Sequence, residues 1–232
     1  MSFRNLEEVD YVREKLRPLL EERLLAKGYV VLFWTDSGWV RYFSKTPLLH
    51  PEELKRLKLF VWSGDTAAYD LWKSSGFNPV ALETAAIPQG LLSDTINAVA
   101  TPPLFALAVQ LDMQAKYMLE LNWAPLVGAA VVRKKSWDRV APQTRSLLLE
   151  AAAETGQRVK AEGRAENERA VEAMVKRGLQ VQHVTPEVDA EWRAFAVSVQ
   201  DQIRGKIVPA DMFDQAQRLL TDYRLSAGEG PK

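Results

Sequence analysis

The chain has no cysteine, which excludes disulfides and thiolate metal sites and leaves the redox compartment open. It has only two histidines, His50 and His183, and neither stands at a spacing that suggests metal ligation or a base beside a nucleophile. Both read as structural or surface residues. It has no excess of either charge: thirty Lys and Arg balance thirty Asp and Glu, so the basic surplus that binding a phosphate backbone requires is missing and nucleic acid is not an expected partner. No apolar run is long enough to cross a bilayer, because the most apolar segment, residues 96–109, is interrupted by Pro102 and Pro103. The N-terminus lacks the basic, apolar and small-residue regions of a signal peptide, so the signal of an exported protein would lie outside this chain. There is no G-x-S-x-G, Walker loop or G-x-G-x-x-G. The acid pairs Glu7-Glu8, Glu21-Glu22 and Glu52-Glu53 fall in first turns or on solvated helix faces. With no acid–base pair in view, an enzyme is the weakest of the readings, and no cofactor is expected.

What is present is an ordinary globular composition: 232 residues, 47% hydrophobic and 26% charged, enough for one large or two small domains. It suggests disorder nowhere except in the last few residues. Asn5 with Glu8 opens an amphipathic helix through Lys27, with a kink expected at Pro18. Residues 29–34 read as a buried strand, Asp36-Ser37-Gly38 as a turn, and residues 39–44 as another strand. His50-Pro51-Glu52-Glu53 starts a short helix. From Lys58 to Gln110 strand signals at 59–62, 79–82 and 96–100 are separated by crossover-length segments, which implies parallel strands with right-handed connections. In such sheets ligands gather beyond the carboxyl ends of the strands, here Trp62-Ser63 and Thr101-Pro102-Pro103. Residues 110–122 read as helix or extended chain and 127–132 as an apolar strand. Residues 142–176 form a long helix whose middle, residues 156–169, is polar nearly all round, which marks a strut between two packed bodies, with Gly156 and Gly163 as its softer points. A short strand at 179–184 and helices at 186–204 and 209–223 complete the chain.

Aromatic residues cluster near the expected strand ends. Trp72 and Phe105 lie on helical patterns and read first as core, whereas Trp34, Trp39 and Trp62 sit where strands meet turns, as the lining of a cleft for a partly apolar ligand would. Asp65 reads as a helix N-cap in preference to Ser63-Gly64-Asp65 holding a phosphate.

The order and spacing of these segments resemble the solute receptors of tripartite ATP-independent periplasmic (TRAP) transporters, the DctP-type family. The likeness rests on residues 28–34 and Gly38, on the lead-in Pro51-Glu52-Glu53-Leu54-Lys55-Arg56-Leu57-Lys58, on residues 90–102, and on residues 125–137 before a long helix. It implies an α/β, two-lobed, periplasmic-binding-protein-like (type II-like) architecture with a long bridging helix. The lobes of such a receptor close on a small ligand in the periplasm and deliver it to a membrane permease. Family members carry further strand and helix segments before the position matching Asn5, so the first lobe here is expected to be incomplete: residues 1–38 and 127–166, against a second lobe of 39–126 and 167–232. Uncovered edges and apolar faces in such a lobe favour a dimer or higher homo-oligomer.

Several family positions depart from the pattern. Where the family has an arginine that clamps a ligand carboxylate, this chain has Phe60. A second family arginine falls on Val40, with Arg41 one residue beyond, and an aspartate–glycine pair becomes Asn97-Ala98. An acid-asparagine-proline turn becomes Ala100-Thr101-Pro102. Each change removes charge or polarity, so the expected ligand is more apolar than a small organic acid, or its carboxylate is held elsewhere. The expected binding residues are Trp34, Trp39, Arg41, Phe60, Trp62, Thr101, Pro102 and Trp123. The alternative is a protein-interaction module that kept the fold and lost transport.

Overall fold

Two strands far longer than the usual five or six residues organise the molecule. The computed structural model describes residues 1–228, so the expectation for the last few residues falls outside the described ones at 229–232. In chain order the elements are α1 (Leu6–Ala26), β1 (Tyr29–Ser44), α2 (Pro51–Lys55), β2 (Lys58–Trp62), α3 (Thr66–Ser74), β3 (Asn78–Leu82), α4 (Ile87–Leu92) and β4 (Ala98–Thr101). They continue with α5 (Pro103–Ala108), β5 (Tyr117–Arg133), α6 (Lys134–Trp137), α7 (Pro142–Lys176), β6 (Gln180–Gln182), α8 (Pro186–Ser198), α9 (Gln200–Ile203) and α10 (Ala210–Ser226). Local chemistry accounts for many of the boundaries. The Asn5 side chain accepts from Glu8 N at 2.8 Å to cap α1, and Pro18 lies inside that unbroken helix. Asp65 caps α3 through Ala68 N at 2.9 Å, in line with the capping expectation, and Gly76, at φ 85°, follows its end.

The sheet has the order β3-β2-β4-β1-β5-β6. β2 is parallel to β3 and β4, as the crossover spacing predicts, but β1 runs antiparallel to both β4 and β5. The expected turn at Asp36-Ser37-Gly38 is not a turn. β1 continues through it, and the two strands expected on either side are one; likewise the strand expected at 127–132 is the far half of β5. The turn residues are absorbed in a bulge instead. Asp36 pairs with Val127 and Trp39 with Pro125, so Ser37 and Gly38 together stand opposite Leu126 alone. Gly38 supplies the left-handed backbone, at φ 69°, and its N–H donates to the Asp36 carboxylate at 3.1 Å.

Successive residues of β1 feed opposite sides of the sheet. Tyr42 packs with Leu59, Ala98, Leu119 and Trp192 on one face, and Phe43 with Val99, Met118, Ile87 and Met174 on the other. β4 pairs with β1 only from Arg41 to Ser44, and β6 with β5 only from Tyr117 to Leu119. Beyond those points the sheet narrows to a two-stranded ribbon of β1 and β5. Helix α7 crosses it. Of the expected softer points in α7, Gly156 is a place of close approach, where a Cβ would stand 2.7 Å from Phe33 Cβ, whereas a Cβ on Gly163 would meet Asp36 O at an ordinary contact distance of 3.7 Å. α1 and α10 form a separate small core through Val12, Leu16, Met212 and Leu220, fastened by Arg224 donating to the buried Glu8 at 2.7 and 2.9 Å.

Gly156→Ala tests the pressing of α7 onto β1. Helix propensity alone favours alanine by about 1 kcal/mol, whereas relieving the overlap with Phe33 costs about 1–3 kcal/mol. The expected outcome in thermal unfolding is a lower Tm; a Tm that rises would show that Phe33 does not press on the helix.

Candidate functional site

The parallel strands β2, β3 and β4 all end at one border of the sheet, at Trp62, Leu82 and Thr101, and the ribbon leaves from that same border. A cavity of about 550 Å³ opens there. β2 contributes Phe60, and the chain after β3 contributes Thr84 and Ile87. The end of β4 contributes Ala100, Thr101 and Pro102, and α5 contributes Leu104, Phe105 and Ala108. The bulge supplies the wall from the ribbon, through Ser37, Val40 and Leu126. None of these side chains is charged. Hydroxyls on Ser37, Thr84 and Thr101 are the polar groups, and the remainder is aliphatic or aromatic, the composition of a pocket for a small, mostly apolar molecule.

Charge collects just behind the bulge. Arg164, from α7, donates to both oxygens of the buried Asp36, at 3.0 and 2.6 Å, and to both oxygens of Asp10 on α1, at 3.0 Å each. Arg13 and Lys160 add ion pairs to Asp10 at 3.0 and 3.3 Å. One turn along α7, the buried Asn167 donates to Ser37 O at 2.7 Å and accepts from Leu104 N at 2.9 Å, so a single side chain ties α7 to the bulge and to α5. Burial works against the charge on Asp10, but the hydrogen bond from Arg164 and the charges of Arg164, Arg13 and Lys160 outweigh it and hold that carboxyl below its usual range. Burial likewise opposes the charge on Arg164, and Asp36 and Asp10 overcome it and push its pKa further up.

The structure divides the eight expected binding residues. Phe60, Thr101 and Pro102 line the cavity. Trp62, half exposed, folds back over Gly64, where a Cβ would lie 2.4 Å from the indole. Trp39 is buried beside a separate gap of about 30 Å³ between the bulge and α7. Arg41 borders the same gap and reaches Glu168 at 3.4 Å, while its neighbour Val40 lines the cavity. Trp34 donates to Glu21 at 3.0 Å and lines a groove between α1 and β5. Trp123 belongs to an aromatic cluster, 5.6 Å from Tyr42 and 5.7 Å from Trp192. The single cleft expected from these residues is therefore not formed. Ser37, Thr84, Ile87, Leu104, Phe105, Ala108 and Leu126 line the cavity without having been expected to. A signal existed for Phe105, which lies on the helix that begins at Pro103. The two histidines pair at the surface, His50 with Glu191 at 2.7 Å and His183 with Glu120 at 2.6 Å.

The family described as bacterial extracellular solute-binding protein, family 7 (DctP), matches residues 2–206. The chain is 26% identical over 190 residues to the C4-dicarboxylate-binding periplasmic protein DctP of Rhodobacter capsulatus, a match covering 82% of this chain. It spans 57% of the length of that relative. Among solved structures it is similar to a TRAP periplasmic solute-binding protein from Ralstonia eutropha H16 with bound (S)-2-acetolactate, with a TM-score of 0.86 at 20% identity over 96% of this chain and 72% of that one. It is also similar to DctP7, a Bordetella pertussis extracytoplasmic solute receptor binding pyroglutamic acid, with a TM-score of 0.81 at 22% identity over 93% of this chain and 70% of that one. The fold is thus the mixed α/β, two-lobed type expected from the sequence.

The ion cluster behind the bulge has a pH signature. A carboxyl held below its usual pKa in the folded state contributes stability that is complete above the unfolded value, about 4, and is lost as pH falls through the folded value. Asp10→Asn is expected to lower stability at neutral pH by about 1–3 kcal/mol and to make the fall of Tm below about pH 4 shallower. A variant whose Tm–pH curve parallels the unsubstituted one would show that Asp10 is not held by Arg164.

Proposed function

The chain belongs to the DctP family of bacterial extracellular solute-binding proteins, the periplasmic receptors of TRAP transport, and from this premise we propose that it is the solute receptor of a TRAP-type transporter for a small, relatively apolar organic ligand. The observation that carries the ligand class is the lining of the cavity: about 550 Å³ without a charged side chain, and Phe60 at the position where the resemblance expects a carboxylate-clamping arginine. The named ligands of the similar proteins, a C4-dicarboxylate, acetolactate and pyroglutamic acid, are small organic acids. They support an acid as the general class. The apolar lining favours one whose apolar body fills the cavity while its carboxylate, if it has one, lies outside that lining.

In this proposal residues 39–126 and 167–232 form one lobe and residues 1–38 and 127–166 form what this chain has of the other. The cavity lies where the two meet, and β1, β5 and α7 cross between them. Two elements bend at the bulge when the lobes close, and the Arg164 cluster holds the third in register with them. A TRAP membrane permease is the proposed partner for delivery, and further copies of the chain are proposed partners for assembly.

Thermal-shift screening separates the ligand classes. Apolar monocarboxylates or neutral aromatics at about 100 times Kd are expected to stabilise the protein by about 2.7 kcal/mol, roughly 5–10 °C, and to exceed the effect of simple dicarboxylates at equal concentration. Phe60→Arg is expected to reverse that order. Preferential stabilisation of the unsubstituted chain by dicarboxylates would contradict the apolar-ligand proposal.

A further inference from the structure

The small gap between the bulge and α7 is bordered by positive charge that the described residues do not balance. Arg41 lines it and is only 7% exposed, yet Nε and Nη1 of its guanidinium are buried with no hydrogen-bond partner among the described residues. Its Nη2 reaches Glu168 at 3.4 Å, but that carboxylate is 69% exposed, where solvent screens it and such a pair contributes little. Asn167 and Arg164 also line the gap and are committed elsewhere. Asn167 donates to Ser37 O and Gly163 O and accepts from Leu104 N, and Arg164 is forked onto Asp36 and Asp10. In this cluster the side chains no more than 29% exposed are Arg13, Arg41, Lys160 and Arg164 against Asp10 and Asp36, four cations to two carboxylates. Nη1 of Arg13 likewise lacks a hydrogen bond. Charge of this kind is tolerated in an interior when a counter-charge accompanies it.

We infer that the gap is a binding site for a small monovalent anion of the halide class, chloride, held by the unpartnered N–H groups of Arg41. Size and charge both select this occupant. A gap of about 30 Å³ has room for one or two particles the size of a water molecule, which excludes an organic acid. Water there would accept from Arg41 and leave the excess charge in place. A monoatomic anion fills the same space, balances the charge and accepts charge-assisted hydrogen bonds, the stronger kind. The position also gives the ion work to do. Gly38, Trp39 and Arg41 of β1 and Pro103 at the start of α5 border the gap, while their chain neighbours Ser37, Val40, Pro102 and Leu104 line the ligand cavity. An anion in the gap therefore braces the cavity wall from behind, whatever ligand the cavity takes.

Thermal unfolding of the full chain tests this, first in chloride-free gluconate buffer and then with chloride added at constant ionic strength. Tm is expected to rise with the logarithm of chloride concentration above Kd, by roughly 5–10 °C at a hundred times Kd, with bromide acting likewise. Arg41→Gln is expected to abolish the shift, and far-UV circular dichroism reports whether the variant is folded. Glu168→Gln, at an exposed position, removes the carboxylate that competes for Arg41 and is expected to lower the apparent Kd for chloride at least threefold; it decides the matter if Arg41→Gln does not fold. Crystals grown in bromide are expected to show an anomalous peak within hydrogen-bonding distance of Arg41 Nε or Nη1. A Tm indifferent to chloride would overturn the inference and assign the gap to water. A chloride shift that persists in folded Arg41→Gln, an apparent Kd unchanged by Glu168→Gln, or the absence of a bromide peak beside Arg41 would overturn it by placing the ion elsewhere.

Discussion

The contact on which the architecture depends most is Arg164 forked onto Asp36. Asp36 is a buried carboxylate in the middle of a strand, at the point where the strand gains an extra residue, and such a charge is tolerated in the interior only when paired and hydrogen-bonded. Arg164 supplies both requirements from α7 and extends the same guanidinium to Asp10 on α1. Three elements distant in sequence are thereby fixed at one point. Asn167 adds the neutral half of the junction by engaging the backbone of Ser37 and Leu104. Because Gly38 packs against this side chain, a Cβ there would stand 3.1 Å from Asn167 Nδ2, so the bulge and the helix are matched in shape as well as in charge.

That concentration of charge bears directly on the cavity. The acids and bases near the crossing point are committed to one another behind the bulge, and the surface they leave facing the crevice is made of hydroxyls and hydrocarbons. Val40 and Arg41 show how this arises from strand geometry. Adjacent residues of a strand face opposite sides, so moving an arginine by one position takes it out of the crevice and places it beside Glu168. The extra residue of the bulge acts the other way and brings Ser37 and Leu126 to the cavity wall.

Much of this was legible in the sequence, and the parts that were not have physical reasons. Helix boundaries fixed by local chemistry, such as the Asn5 and Asp65 caps, Pro51 and Gly76, fall where their side chains require. The parallel strands β2, β3 and β4 followed from crossover length. The nature of the long strands did not, because Asp36-Ser37-Gly38 satisfies the local rules for a turn, and only tertiary partners, Asn167 and Arg164, decide that the same residues form a bulge. The aromatic residues misled for a related reason. Trp39, Trp62 and Trp123 lie near expected strand ends, yet β1 and β5 run on through Trp39 and Trp123, and which way a ring points is set by neighbours remote from it: the gap beside Asn167, Gly64 beneath Trp62, and the Tyr42–Trp192 stack around Trp123. Phe60 and Thr101 come to the same cavity because the parallel register between β2 and β4 puts both on the sheet face that carries Val99.

The continuity of β1, β5 and α7 also restricts how the molecule can bend. A helix of 35 residues with unbroken hydrogen bonding resists bending, and its Gly156 is occupied by close approach to Phe33 of β1. Strands tolerate local change more readily where the ladder is already interrupted. In β1 and β5 those interruptions coincide: between Asp36 and Trp39 one strand gains a residue, and opposite Arg41 residues 120–123 of β5 loop out of register. The first borders the cavity through Ser37 and Leu126, whereas Leu121 and Trp123 of the second pack into the core on the other face of the sheet. A displacement of the ribbon end would therefore be absorbed at the cavity wall itself, where Ser37, Val40 and Leu126 stand, and a molecule filling the crevice would act on the position of the ribbon through those three side chains.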